Sequence, residues 1–249
     1  MVPNVDPLSP LLELSEVADA MENARAAVDR MLWHKAMRNH AAEVASEVAL
    51  RNAVATLNLE GIECDAEALE TGTIDDPTVQ GVLRISATLP SLVDLWGASP
   101  RYVLAKLHLL AARDVGDNGE VGRPVLDESG QARMDALCAL ITSPTKEIPA
   151  GLQAAVVHGE LLALRPFATM NDIVARSAAR LVLANRGLDP RLLIAADYGH
   201  WERQPEYVGA HKAFSTGSPD GVRSWLKHYG QALEVGAGET LRVCNEVLS

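Results

Sequence analysis

The segment best arranged to do chemistry is a short loop, Arg165-Pro166-Phe167-Ala168-Thr169-Met170, running directly into Asn171-Asp172 and a helical pattern. The first N–H groups of a helix have no partner inside it, and with the helix dipole they form a place where an anion can bind. Arg176 and Arg180 are four residues apart on one face of that helix, so one of them could reach a phosphate. Two considerations oppose this. Most loop-to-helix junctions bind nothing and exposed arginines are ordinarily solvated, and Asp172 places a carboxylate where the anion would sit.

Other chemistry-bearing residues are less well placed. His158-Gly159-Glu160 has the H-x-E order of the zinc deaminases, but no P-C-x-x-C follows, so His158 reads as a core or supporting histidine on a buried helix. There is no H-E-x-x-H, G-x-S-x-G or Walker loop. Gly116, Gly119 and Gly122 follow no strand pattern, and His34 and His40 share no metal spacing with an acid. His200-Trp201-Glu202 reads as a helix start with Trp201 packed inward. Cys64, Cys138 and Cys244 are odd in number and widely spaced, without metal or redox spacing, which fits a reducing cytoplasm. No metal site is expected.

The elements that must hold the loop are helices. The chain has 249 residues, with 48% hydrophobic, 22% charged and only 4% aromatic residues. Its abundant alanine and leucine lose little side-chain freedom in a helix. No stretch alternates at period two, so the expected fold is all-α, with one exception. The glycine-rich acidic segment from Asp114 to Gly130 reads as a solvated surface loop that could carry a short β-hairpin near 118–126. Helical patterns cover about 11–31, 35–59 (stopping at Gly61), 66–95 with a turn at Asp75-Asp76-Pro77, and a segment opened by a Ser99 cap and Pro100. They resume at 131–142, 149–164, 171–186 (closed by Gly187), 204–213 and 219–247, the last broken at Gly236 and Gly238. Trp33, Trp96 and Trp225 read as core or interface anchors. A formal net charge of -11 excludes nucleic acid as the main partner, and no apolar run is long enough to span a membrane. The start of the chain has no basic segment of the signal-peptide kind.

The run AAVVHGELLALRPFATMNDIVARSAARLVLANRGL resembles the core of the Fic (Fic/Doc, Fido-domain) family, whose pattern is H-P-F-x-[D/E]-G-N-G-R-x-x-R. Aligned on Pro166-Phe167, Asn171 matches the family asparagine, Arg176 its final arginine, and His158 the histidine seven residues before the motif. A second match is Thr56-Leu57-Asn58-Leu59-Glu60-Gly61, similar to the inhibitory [S/T]-x-x-x-E-[G/N] motif that precedes the core in one class of the family. A third is residues 102–126, which resemble the family's helix and flap. The resemblance covers roughly residues 45–230. It implies a Fic-like bundle over 96–249, joined in one compact unit to an N-terminal helical region, 1–95, that carries the inhibitory-type helix.

The departures from the pattern matter for chemistry. The catalytic histidine position holds Arg165, the acidic magnesium ligand is Thr169, the two glycines are Met170 and Asp172, and the first arginine is Ile173. In the family the histidine is the general base, and an arginine stays protonated above pH ~12 and cannot take that role. Losing a general base typically costs about 10²–10⁴-fold in rate. The resemblance implies ATP with Mg²⁺ as ligand, Asn171, Arg176 and Arg165 as nucleotide- or anion-binding residues, and Thr56, Glu60 and Gly61 as a lock in which Glu60 pairs with Arg176. The expected function is therefore a Fic-fold protein impaired in nucleotidyl (AMP) transfer that binds a protein partner or a nucleotide, with a homo-oligomer also compatible. The alternatives are an active transferase using Arg165 as an electrostatic clamp, and a helical scaffold acting through its surface alone.

Overall fold

The structure, a computed structural model, describes residues 6–116, 119–143 and 147–249. A 3-10 helix (Ser9–Glu13) leads into α1 (Val17–Leu32), α2 (Ala36–Asn39), α3 (Ala41–Leu59), α4 (Ala66–Thr71), α5 (Pro77–Trp96) and α6 (Pro100–Ala112). After the acidic loop come α7 (Glu128–Thr142), α8 (Ala150–Leu164), α9 (Asn171–Asn185), α10 (Ala196–Glu202), α11 (Gln204–Phe214) and α12 (Pro219–Glu246). No strand occurs among the described residues.

The hairpin α8–α9 is the centre of the molecule. Both helices are apolar around most of their circumference, as expected of helices covered on every side; in α9 every residue from Ile173 to Ala184 is buried. α5 and α6 cover α9, α12 and α11 cover α8, and α3 lies against α10 and α5. α1 runs along α12, so residues from Leu8 to Cys244 share one apolar core.

Five local expectations change. The segment expected as a hairpin includes residues 117 and 118, which lie outside the described residues; those from Gly119 to Leu126 form turns and irregular backbone. One bond ties it to the loop: the Val125 N–H donates to the Pro166 carbonyl at 2.9 Å. α12 is unbroken at its glycines, because Gly236 serves a close approach: a Cβ there would meet the Ala195 carbonyl oxygen at 2.4 Å. His200-Trp201-Glu202 ends α10 instead of starting a helix. Pro100 does open α6, but the Ser99 side chain makes no capping bond. Trp96 and Trp225 are in the core, whereas Trp33 is 81% exposed.

Candidate functional site

The loop between α8 and α9 is held at both ends by left-handed backbone at non-glycine residues, Arg165 (φ +46°) and Met170 (φ +56°). A glycine would take the second conformation without the cost that a Cβ imposes. The Arg165 N–H closes α8 on the Leu161 carbonyl at 3.0 Å. Inside the loop, the Phe167 N–H donates to Asn171 Oδ1 at 2.9 Å, and Asn171 Nδ2 donates back to the Phe167 carbonyl at 2.7 Å. Both halves of the Asn171 amide are thus engaged within the loop. The Phe167 ring lies flat against His108, with centroids 4.2 Å apart.

His108 joins three segments. Its Nδ1 accepts the Gly122 N–H at 2.8 Å, so the neutral ring carries its proton on Nε2. Burial lowers the pKa of His108, with the Thr169 backbone opposing.

At the mouth, Arg165 Nη1 lies 3.2 Å from Asp172 Oδ2. The Asp172 carboxylate stands in the first turn of α9, the place where a helix dipole favours an anion. Thr169 is exposed beside it, and Ile173 turns inward and is buried.

Behind the mouth, α3 presents Asn52, Thr56 and Glu60, each four residues apart and so on one face. Glu60 Oε1 lies 2.5 Å from Arg176 Nη2. Thr56 Oγ1 donates to Asp197 Oδ2 at 2.8 Å, and Arg180 Nη1 is 3.7 Å from the same oxygen. Asn52 accepts the Asp197 N–H at 2.9 Å and donates to the Ile194 carbonyl at 3.1 Å. Gly61 ends the segment in left-handed backbone, φ +79°, which lets the Ile62 N–H return to the Leu57 carbonyl. Arg176 is only 2% exposed. Burial, the largest single influence, pulls its pKa down, but Glu60, Tyr207 and Asp197 together outweigh it and hold the group above the usual arginine value.

A cavity of about 340 Å³ opens beside this pair, bounded by Glu60, Asp172, Arg176, Tyr207, His211 and Lys212. Under it lies a buried layer in which His158 Nε2 meets the Tyr207 hydroxyl at 3.1 Å and His200 Nδ1 meets His228 Nε2 at 3.1 Å. Burial drives His158 and His200 well below the ordinary histidine range, pushes His228 down to about 4, and pushes Tyr207 up to about 12. These rings are neutral near pH 7.

Of the residues singled out in the sequence, Arg165, Thr169, Asn171 and Ile173 gather at the loop, while Thr56, Glu60 and Arg176 meet across α3 and α9. Sequence reasoning missed Asn52, Asp197, Tyr207, His108 and Lys212. Asn52 could have been found from its spacing to Thr56 and Glu60; the others have no local signal.

The fold around this site is that of Fic proteins. No protein-family model matches the sequence, and no curated protein is detectably similar to it. Similar solved structures are Fic proteins. A Fic family protein from Desulfovibrio desulfuricans G20 superposes with a TM-score of 0.72 at 18% identity, covering 90% of this chain and 74% of its own. Fic-1 from C. elegans gives a TM-score of 0.71 at 15% identity, with 96% of this chain and 76% of the other covered. A Fic domain containing signaling protein from Bacteroides thetaiotaomicron VPI-5482 gives 0.63 at 12% identity, covering 91% and 97% respectively. At these identities the likeness establishes the fold.

Proposed function

We propose that this is a Fic-fold protein impaired in nucleotidyl transfer, which acts by binding a protein partner, or a nucleotide that it does not turn over. The observation that carries this reading is the Arg165–Asp172 pair. A permanently charged guanidinium stands where the family pattern has its general base, and it is tied at 3.2 Å to a carboxylate in the first turn of α9.

The donor set does not suit a Mg²⁺-bound nucleotide. Thr169 offers a neutral hydroxyl in place of a carboxylate, and Arg165 brings a positive charge close to where the metal would sit. The Asn171 amide is occupied by Phe167, and the α9 N-terminus already faces an anion. Behind the mouth, Glu60 holds the arginine that a phosphate would need.

The test is labelling with α-phosphate-tagged ATP and Mg²⁺, using the purified protein alone and in a lysate. The expected result is no label above background in either. Clear labelling that Asn171→Ala abolishes would overturn the impaired-enzyme reading. Arg165→His alone should also leave labelling at background, because residues of one catalytic unit act together and the other positions remain changed. Titration with ATP and GTP then separates the readings: saturable binding without turnover supports this one with a nucleotide ligand, turnover supports an active transferase, and neither supports a helical scaffold that acts through its surface alone.

A further inference from the structure

A second cavity, of about 430 Å³, lies between α11 and α12 and shares no lining residue with the one beside Glu60. α12 contributes Arg223, Ser224, Lys227 and His228, and Arg203 enters from the turn between α10 and α11. Glu206 lines the cavity with these three cations, and Glu16 and Asp220 pair with two of them from outside its lining.

We infer that this cavity binds a small dianion of the phosphate-monoester class.

Three observations converge on it. First, the cations are held only by partners that water also reaches. Lys227 Nζ is 2.6 Å from Glu16 Oε2, Arg223 Nη2 is 3.2 Å from Asp220 Oδ1, and Arg203 Nη2 rests on Gln231 Oε1 at 2.9 Å with Glu206 at 3.7 Å. Surface pairs of this kind are weak and exchange readily for a better acceptor. Second, three buried nitrogens of the lining have no hydrogen-bond partner: His228 Nδ1, Arg203 Nε and Arg223 Nε. Buried polar groups are nearly always bonded; the two guanidinium Nε–H groups can only donate, and His228 Nδ1 donates when His228 Nε2 accepts the His200 Nδ1 proton, so an acceptor-rich group would satisfy all three. His228 lines the cavity at 3% exposure, and its other nitrogen is committed to His200. A phosphate presents several strong acceptor oxygens and suits guanidinium forks. Third, the space exceeds the needs of inorganic phosphate. A Cβ on Gly209 would meet nothing within 4 Å, so that wall is open and an organic substituent on the ester has room.

The site is independent of the reading given to the loop, and the experiment keeps them apart. Thermal unfolding and calorimetric titration are run with inorganic phosphate and with phenyl phosphate, against chloride at equal ionic strength. Both phosphates are expected to raise the melting temperature with concentration, to saturate at one site, and to move the ring signals of His228 in imidazole nitrogen–proton spectra. Arg203→Gln combined with Arg223→Gln is expected to weaken binding at least about tenfold. Arg165→Gln at the loop mouth, combined with Lys212→Gln in the other cavity, is expected to leave it unchanged. The inference is overturned if phosphate acts no better than chloride, if the His228 signals stay still while phosphate binds, or if only the second pair of substitutions weakens binding.

Discussion

The mouth of the loop and the face of α3 behind it use the same kind of contact, an arginine against a carboxylate, in opposite surroundings. Arg165 is 58% exposed, and its partner Asp172 is also wet. Arg176 is almost fully buried against Glu60, and Arg180 and Thr56 converge on the buried Asp197. Water at the mouth screens its charges, so side chains there can change with little effect on folding. Behind it, removing one partner leaves a charge stranded in a medium that cannot solvate it. The departures from the family pattern at 165, 169, 170 and 172 fall on loop or rim positions, and the fifth, Ile173, replaces a charge with an apolar side chain where the position is buried. The charged pair that matches the inhibitory-type motif falls where a change would threaten the fold. The physical reading is that the Glu60–Arg176 pair secures α3 to α9.

The largest expected effect concerns the buried side as a whole. His158, His200 and His228 have pKa values depressed in the folded state by burial. Above pH ~6.5, where an unfolded histidine is also neutral, they add no pH dependence. Below it the unfolded chain binds protons that the folded chain refuses, so stability falls as pH drops from ~6.5 toward the folded values. By pH 5 the loss from His228 should be about 2 kcal/mol, with His158 and His200 acting in the same direction. Urea midpoints at pH 7 and pH 5 measure it, and equal stability at both would show these rings to be far more accessible than the structure has them.

Next comes the lock. Glu60→Ala should lower stability by about 3 kcal/mol, the low end for breaking a buried pair, because Glu60 keeps 20% of its side-chain surface. Chemical denaturation of the variant gives the number directly; a loss below about 1 kcal/mol would place this pair with the exposed ones and erase the contrast.

Thr56→Val keeps the shape and removes a hydroxyl donor from Asp197, leaving Arg180 as its charged neighbour. A loss of about 2 kcal/mol is expected, as for a hydrogen bond to a charged group. Combining it with Glu60→Ala should give a loss different from the sum of the two, since both belong to one network; strict additivity would mean two independent contacts.

The smallest effect belongs to the mouth. Arg165→Gln should change stability by less than about 1 kcal/mol, and raised salt should shrink even that. Should the substitution instead cost as much as Glu60→Ala, the mouth would be part of the structural core, contrary to its exposure.

Much of this was legible before any coordinates. Helical periodicity, Gly61, Pro100 and Gly187 located most of the helices, because these are local signals of burial and chain geometry. The misreadings arose where a local signal served a long-range purpose. Gly236 reads as a helix breaker until α10 is seen pressed against it. Trp33 reads as an anchor because tryptophan is usually buried, yet it is 81% exposed among the described residues. The short helix α10 went unread because Ala195-Ala196-Asp197 carries no capping or periodic signature. Its place is set by Asn52, on a helix far away in the chain.

By itself the sequence determined which chemical groups exist and which are missing: an arginine at 165, a threonine at 169, a carboxylate at 172, and a threonine and glutamate four residues apart on one helix. Residue type decides what a group can do with a proton or a metal, and that needs no fold. Only the tertiary structure decided what each charge is worth. It sends Arg165 outward to Asp172, turns both ends of the Asn171 amide onto Phe167, buries Arg176 against Glu60, and brings Asp197 to Thr56 and Arg180. The strength of a charged or polar contact depends on how much water is excluded around it, and water is excluded by helices that meet across long stretches of the chain.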